Sequence, residues 1–173
     1  LFLVAIVLPV SSIVFWLNQT AFTSVAGNLY EAFLNSVQAS APAAVLTTLM
    51  ALPLAYIGVR YKTKLSNPIE RVAYLGYATP PLAFALAFVF FSLQVSSVLY
   101  QSLLLLVIAY SLHFLAEGIG PVRSALYQAP EDLEEAAQSL GYSSIKSFLK
   151  VTLPLLRGGI IASASLVFLS AMK

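Results

Sequence analysis

Residues 34–59 read LNSVQASAPAAVLTTLMALPLAYIGV, without a single charged side chain. The stretch exceeds the roughly 20 residues that a helix needs to cross the hydrocarbon layer of a membrane. In that solvent every backbone N–H and C=O must find its partner inside the segment, which an α-helix achieves. Ala39, Ala43, Thr47, Ala51 and Ala55 recur at a spacing of four. Small side chains therefore stack on one helix face, which lets a second helix approach closely. Pro42 and Pro53 remove two donors from the ladder and are expected to bend the helix. The fold class that follows is all-α, a polytopic bundle of membrane helices.

Four further apolar runs flank this one, giving expected spans at 1–17, 34–59, 72–93, 98–116 and 155–172. The first ends near Trp16, an aromatic of the kind found at the headgroup level. Residues 18–33 then read as a polar loop, and the Asn18-Gln19-Thr20 acceptor pattern within it reads as no more than part of that loop. The third run carries the pair Pro80-Pro81, whose freed carbonyls need partners inside a bundle. Across the whole chain 60% of residues are hydrophobic and 9% charged, against roughly 25% charged in a soluble domain. The mean hydropathy of +0.88 agrees. The 173 residues are expected to form one transmembrane domain.

Charge gives the orientation. Arg60, Lys62, Lys64 and Arg71 separate the second and third runs, and Arg123, Lys146, Lys150 and Arg157 separate the fourth and fifth. Eight of the nine basic residues thus fall in two loops on one side, which the positive-inside rule makes cytoplasmic. Such a scattered basic excess does not describe a nucleic-acid surface. With no Cys, one His and two Met, disulfides and thiolate metal sites are excluded and no cofactor site is expected. The chain opens LFLVAIVLP without Met or a basic leader, and Lys173 falls at the end of an apolar run; truncation at both ends is expected.

The longest polar stretch, 117–154, reads as a cytoplasmic loop. Pro130 suits a first helical position, the acids Glu131, Asp132, Glu134 and Glu135 favour the positive end of a helix dipole, and Gly141 supplies a stop. A short helix is expected over 130–140. A second begins at Ser143 or Ser144, with Ile145, Phe148 and Leu149 on its apolar face and Lys146 and Lys150 on another. Neither is long enough to span, so the pair forms a platform on the inner surface.

Glu135, Ala136 and Ala137, three residues, Gly141, nine residues, then Val151, Thr152, Leu153 and Pro154 resemble the EAA signature of binding-protein-dependent ABC permeases. The chain departs from it only in Val151, where Ile is usual. Asn35-Ser36-Val37, Pro53-Leu54-Ala55-Tyr56 and Tyr74-Leu75-Gly76-Tyr77 resemble the ferric-iron branch, above all the second half of permeases in which two homologous halves are fused. The resemblance implies a MetI-like bundle of the type I importer kind in the bacterial inner membrane, with two short cytoplasmic coupling helices. It also implies a cytoplasmic ATPase dimer that binds ATP and Mg, a periplasmic or lipid-anchored solute-binding protein, and a second permease half, fused or separate. Glu135, Ala136, Ala137, Gly141, Val151, Leu153 and Pro154 would couple to the ATPase, with Glu135 reaching a basic group and the two alanines letting it approach the backbone.

No G-x-x-x-x-G-K-[ST] phosphate loop is present, so the chain supplies no nucleotide chemistry of its own. No H-E-x-x-H and no paired intramembrane carboxylates favour an enzyme, and a transport subunit is expected. An ion-gradient-driven secondary transporter is the alternative, but it leaves the EAA spacing unexplained. Ferric iron is the first candidate solute by resemblance. Pro80, Pro81 and His113 are candidate pathway or gating residues, since an ionisable group inside a span is a functional candidate. A local hydrogen bond for His113 and a packing kink for the prolines are the plainer readings. Tyr56, Tyr74, Tyr77 and Tyr110 read as interfacial anchors rather than metal ligands.

Overall fold

The computed structural model describes residues 2–19, 22–61, 66–95 and 98–173. Leu1, Thr20, Lys62 and Lys64 lie outside the described residues, and with them part of the acceptor pattern and two of the basic residues used for orientation. Every regular element among the described residues is helical. Contacts group the chain into two compact units, Leu1–Gln38 and Ala39–Lys173, and the buried residues described all lie from Ala39 onward.

In the first unit, α1 (Phe2–Gln19) continues through Pro9. Its described apolar side chains, Trp16 among them, are exposed. The expected loop over 18–33 is instead largely helical, because α2 already begins at Phe22 and runs to Arg60. Pro42 and Pro53 lie within α2 without ending it, and both are on its exposed side.

In the second unit the small-residue stripe of α2 is buried at all five positions. The run expected over 72–93 is broken into α3 (Ser66–Ala78) and α4 (Pro81–Val95). Pro81 cannot extend the α3 ladder, so it takes the first position of α4, whose first turn is closed by Phe84 N–H donating to the Pro80 carbonyl at 3.0 Å. After α5 (Leu103–His113) the chain kinks by 52° at Phe114 and continues as α6 (Leu115–Gln128). The expected loop from residue 117 is therefore helical for its first part. Leu115, Ile119, Val122 and Leu126 recur on one face and enter the core together with Ala51, Ala55, Val59, Ala73 and Leu156, so burial overrides the polar character of Glu117 and Arg123.

The short helices that follow are α7 (Asp132–Ser139), α8 (Ser144–Ser147), a π-helical turn over Phe148–Thr152, and α9 (Leu153–Leu155). A 68° bend leads into α10 (Arg157–Met172). α6 and α10 pack tightly because Gly159 has no side chain: a Cβ there would lie 2.5 Å from Ala125 Cβ and 2.9 Å from the Pro121 carbonyl oxygen. Hydroxyls stitch the same region. Thr48 and Ser163 share a 3.3 Å hydrogen bond, Ser163 donates to the Gly118 carbonyl at 2.9 Å, and Thr47 donates to the Ser111 carbonyl at 3.3 Å. Such bonds between helices keep polar groups satisfied where water is absent.

Among the described residues one helix, Leu29–Arg60, is long and apolar enough to cross a membrane, and up to three spans result if each bent pair counts as one. Ile6–Trp16 and Pro81–Val95 are apolar but shorter. The run expected over 72–93 enters this reckoning only as its second part, because it is broken between Ala78 and Pro81.

Candidate functional site

Gly141 is the conformational pivot of the polar segment. Its φ of +89° is one that side chains of L-residues resist. Tyr142 N–H donates to the Ala137 carbonyl at 3.1 Å and Gly141 N–H to that of Gln138 at 2.9 Å, the two bonds of a Schellman cap that ends α7. Ser143 then caps α8, its hydroxyl accepting from Lys146 N–H at 3.5 Å. Four residues, Leu140 to Ser143, turn the chain between the two helices, and α7 and α8 pack against each other. The first helix starts later than expected, at Asp132, with Glu131 as its cap and Pro130 before it.

The reversal encloses Glu134. Its carboxylate accepts from Tyr56 Oη at 2.7 Å and from Thr152 Oγ1 at 2.6 Å, and lies 3.4 Å from Arg60. Its backbone carbonyl accepts from Ser147 Oγ at 3.2 Å. Arg60 in turn pairs with Glu131 at 3.0 Å and donates to the Ala129 carbonyl at 2.9 Å. The Arg60 and Glu134 side chains are 8% and 11% exposed, against 61% for Glu131. A buried charge demands both a counter-charge and hydrogen bonds, and this cluster supplies them from α2, α7 and the π turn at once. Phe148 packs edge-on against Tyr56, with ring centres 4.9 Å apart.

Pro154 explains the π turn. Without an N–H it cannot continue the regular ladder, and the preceding turn is wound wider, with Leu153 N–H reaching back to the Phe148 carbonyl. This widening accompanies Thr152 on the inside, beside Glu134, while Leu153 and Val151 are half-buried and Pro154 is exposed.

The signature residues thus divide. Ala137 is buried, whereas Glu135, Ala136 and Gly141 are exposed. Glu135, the acid singled out from the motif, is not the one enclosed; its neighbour Glu134 is, because the side chain one position earlier faces Arg60. Tyr56, Arg60 and Thr152 escaped sequence reasoning as site residues. The signal for Arg60 was available, since a basic residue ending a long apolar helix needs a partner if it is not left in water. The expected apolar face of the second helix is mostly outward, with Ile145 73% exposed and only Phe148 turned inward. Leu140, Tyr142 and Leu149 are exposed as well.

The candidate pathway residues meet elsewhere. Pro81 and His113 line one cavity of about 620 Å³ with Tyr77, Tyr110, Glu117 and Lys173. Pro80 is exposed beside the break. The His113 ring lies 5.0 Å from those of Phe84 and Phe114. No local hydrogen bond is found for its Nδ1 among the described residues. Among the described residues no group of three or more His, Cys, Asp and Glu side chains is disposed to hold a metal ion.

Comparison with known proteins adds the family. The profile described as "Binding-protein-dependent transport system inner membrane component" matches residues 43–173. The Fe(3+)-transport system permease protein FbpB 2 of Haemophilus influenzae is 36% identical over all of this chain and 35% of its own length. A putative ABC transporter permease protein, ORF1, of Streptomyces antibioticus is 31% identical over 83% of this chain and 62% of its own length. The molybdate/tungstate transport system permease protein WtpB of Methanocaldococcus jannaschii is 24% identical over 80% of this chain and 58% of its own length. The chain therefore spans about a third to three fifths of the curated relatives it matches.

Proposed function

Because the chain belongs to the binding-protein-dependent transport inner membrane component family, and is a membrane protein on that ground, we propose that it forms a multi-pass permease portion of an ATP-driven importer. A solute delivered by a separate binding protein on the outer side crosses the bundle by alternating access. ATP and Mg are bound by a partner ATPase dimer on the cytoplasmic side, and a second permease half, fused or separate, completes the passage. The ATPase docks on the α7–α8 pair. Glu135 and Ala136 are the exposed signature groups that meet it; Ala137 and Gly141 shape the pair, and Val151, Leu153 and Pro154 join it to α10.

The observation that carries this reading is the enclosure of Glu134. A docking segment transmits force only if it is fixed to the helices it moves, and the acid joins α7 to α2 through Tyr56 and Arg60 and to the π turn through Thr152. A push on α7 then shifts α2 and the start of α10 together, as switching between two packed states requires. Ferric iron is the proposed solute, supported by the 36% identity over the full chain to the Haemophilus Fe(3+)-transport permease; the molybdate/tungstate relative covers less of it at lower identity.

The test is Ala136→Trp in the full-length transporter. A bulky group on the exposed side of α7 blocks docking without entering the bundle. Expected are normal membrane insertion, loss of the ATPase on co-purification and loss of uptake. Retained ATPase association with normal uptake refutes the assignment.

A further inference from the structure

A groove of about 450 Å³ runs between α2 and the α8 segment, walled by Leu49, Leu52, Pro53 and Tyr56 on one side and by Ile145 and Phe148 on the other. The four α2 residues follow the spacing of a single helix face, distinct from the small-residue stripe that is buried in the bundle. Leu49, Pro53 and Ile145 are exposed, so the groove is open to its surroundings. α2 supplies the one helix among the described residues that is long and apolar enough to cross a membrane. An open apolar face on such a helix meets lipid, not water. The other wall belongs to a short segment that shows Leu140, Ile145 and Leu149 on its outside together with Lys146 and Lys150, the mixture of an element lying in the interface plane.

Length and charge select the occupant. From Leu49 to Tyr61, whose N–H still donates to the Ile57 carbonyl, the helix rises about 18 Å at 1.5 Å per residue. One leaflet measures about 15 Å of hydrocarbon, or about 20 Å with its headgroups, so the groove is one lipid long. A water-soluble partner cannot follow it: Leu49 lies about 16 Å along the helix from Arg60, the basic residue that ends the apolar run. At the Tyr61 end the lining changes character. Tyr61 and Ser144 are exposed lining residues that carry hydroxyls, Lys146 is exposed beside Ile145, and Lys150 stands one turn on, 5.5 Å from the Tyr142 ring. Glu131 and Glu134 are already paired with Arg60. This end is positive and rich in donors, which suits a phosphate group. We propose that the groove holds one anionic phospholipid of the cytoplasmic leaflet, an acyl chain lying along Leu49, Leu52, Pro53, Ile145 and Phe148 and the headgroup at Tyr61, Ser144 and Lys146. The lipid seats α8 on the membrane surface. The inference rests on the chain being a membrane protein, not on where the ATPase docks.

The full-length permease, purified in detergent without its ATPase, is titrated with phosphatidylglycerol or with phosphatidylcholine, and the lipids retained are counted by native mass spectrometry. The native protein is expected to keep phosphatidylglycerol in preference to phosphatidylcholine. Ile145→Asn, which makes one wall of the groove polar, loses one tightly held phosphatidylglycerol, and Ile145→Leu keeps it. Lys146→Gln lowers the preference for phosphatidylglycerol by roughly fivefold, the contribution of one basic residue at an anionic surface. Both positions are exposed, so the variants fold as the native protein does. Equal retention in Ile145→Asn and the native protein, equal retention of the two lipids, or an unchanged preference in Lys146→Gln overturns the proposal. So does loss of added ATPase from Ile145→Asn with lipid retention unchanged, which would give the groove to the ATPase instead. Because the lipids are counted without the ATPase, a failure here is distinct from a failure of docking in Ala136→Trp.

Discussion

Replacing Glu134 by Gln keeps the side-chain shape and removes the charge around which α7, α2 and the π turn assemble. At the 3.4 Å separation from Arg60, the gross attraction at an effective dielectric near 20 is about 5 kcal/mol. Desolvation of the two ions offsets much of it. The hydrogen bonds from Tyr56 at 2.7 Å and Thr152 at 2.6 Å fall from charge-assisted to neutral strength, a loss of about 1 kcal/mol each. Arg60 keeps Glu131 and the Ala129 carbonyl, but Glu131 is largely in water and its pairing is worth little. The net expected destabilisation is about 2–4 kcal/mol, or a fall in Tm of roughly 5–12 °C for a chain of this size. Thermal unfolding of the purified permease in nanodiscs measures it. A double-mutant cycle with Arg60→Met apportions it: the double variant is expected to be less damaged than the sum of the singles, because it strands neither charge. A Tm within about 1 °C of the native protein, or strict additivity in the cycle, refutes the enclosure of Glu134 as a joint.

Three further substitutions test the elements around it. Thr152→Val removes the donor to Glu134 with little change of shape and is expected to cost about 1–2 kcal/mol; Thr152→Ser keeps the donor and regains most of the Tm. Gly141→Ala places a Cβ at φ +89° in open space, so its cost is purely conformational, about 1–2 kcal/mol, read as a lower Tm together with weaker ATPase retention. Gly159→Ala drives a methyl group against Ala125 and the Pro121 carbonyl and is expected to cost about 1–3 kcal/mol through overpacking; a Tm equal to that of the native protein would show that α6 and α10 separate without penalty.

The helical class was legible because long uncharged runs leave the backbone no other partner than itself, and the small stripe from Ala39 to Ala55 announced a close helix contact. What was not legible depended on residues far apart in the chain. Four acids follow Pro130 within one and a half turns, and nothing local distinguishes Glu134 from Glu135. Only the arrival of Arg60 and Tyr56, more than seventy positions earlier in the chain, decides which one is enclosed. Thr152 was hidden for a related reason, since it occupies a position that the signature leaves free. The buried course of α6 was missed although its signal existed: Leu115, Ile119, Val122 and Leu126 carry the helical spacing, but Glu117 and Arg123 between them drew the segment into the loop. The kink at Phe114 has no proline to mark it, so neither it nor the cavity beside it could be read from the sequence.

The spacing of the signature acquires a mechanical sense from these contacts. From the exposed Ala136 the helix turns inward one residue on either side of the Glu135–Ala136 pair, to Glu134 and to Ala137. Gly141 then reverses the chain, and the intervening residues carry it as far as Thr152, which closes on the same carboxylate from the opposite side. Pro154 follows at the point where the wider turn must end and the 68° bend toward α10 begins. A shorter interval would leave Thr152 unable to reach Glu134, and a longer one would move the bend away from the joint. The interval between Gly141 and Leu153-Pro154 therefore sets where Thr152 stands relative to the carboxylate of Glu134 to which it donates. Insertion of one alanine after Lys146 is accordingly expected to release Thr152 from Glu134 and uncouple α10 from the docking segment, leaving ATPase retention intact and uptake lost; uptake at native rates would show that the joint is not what links them.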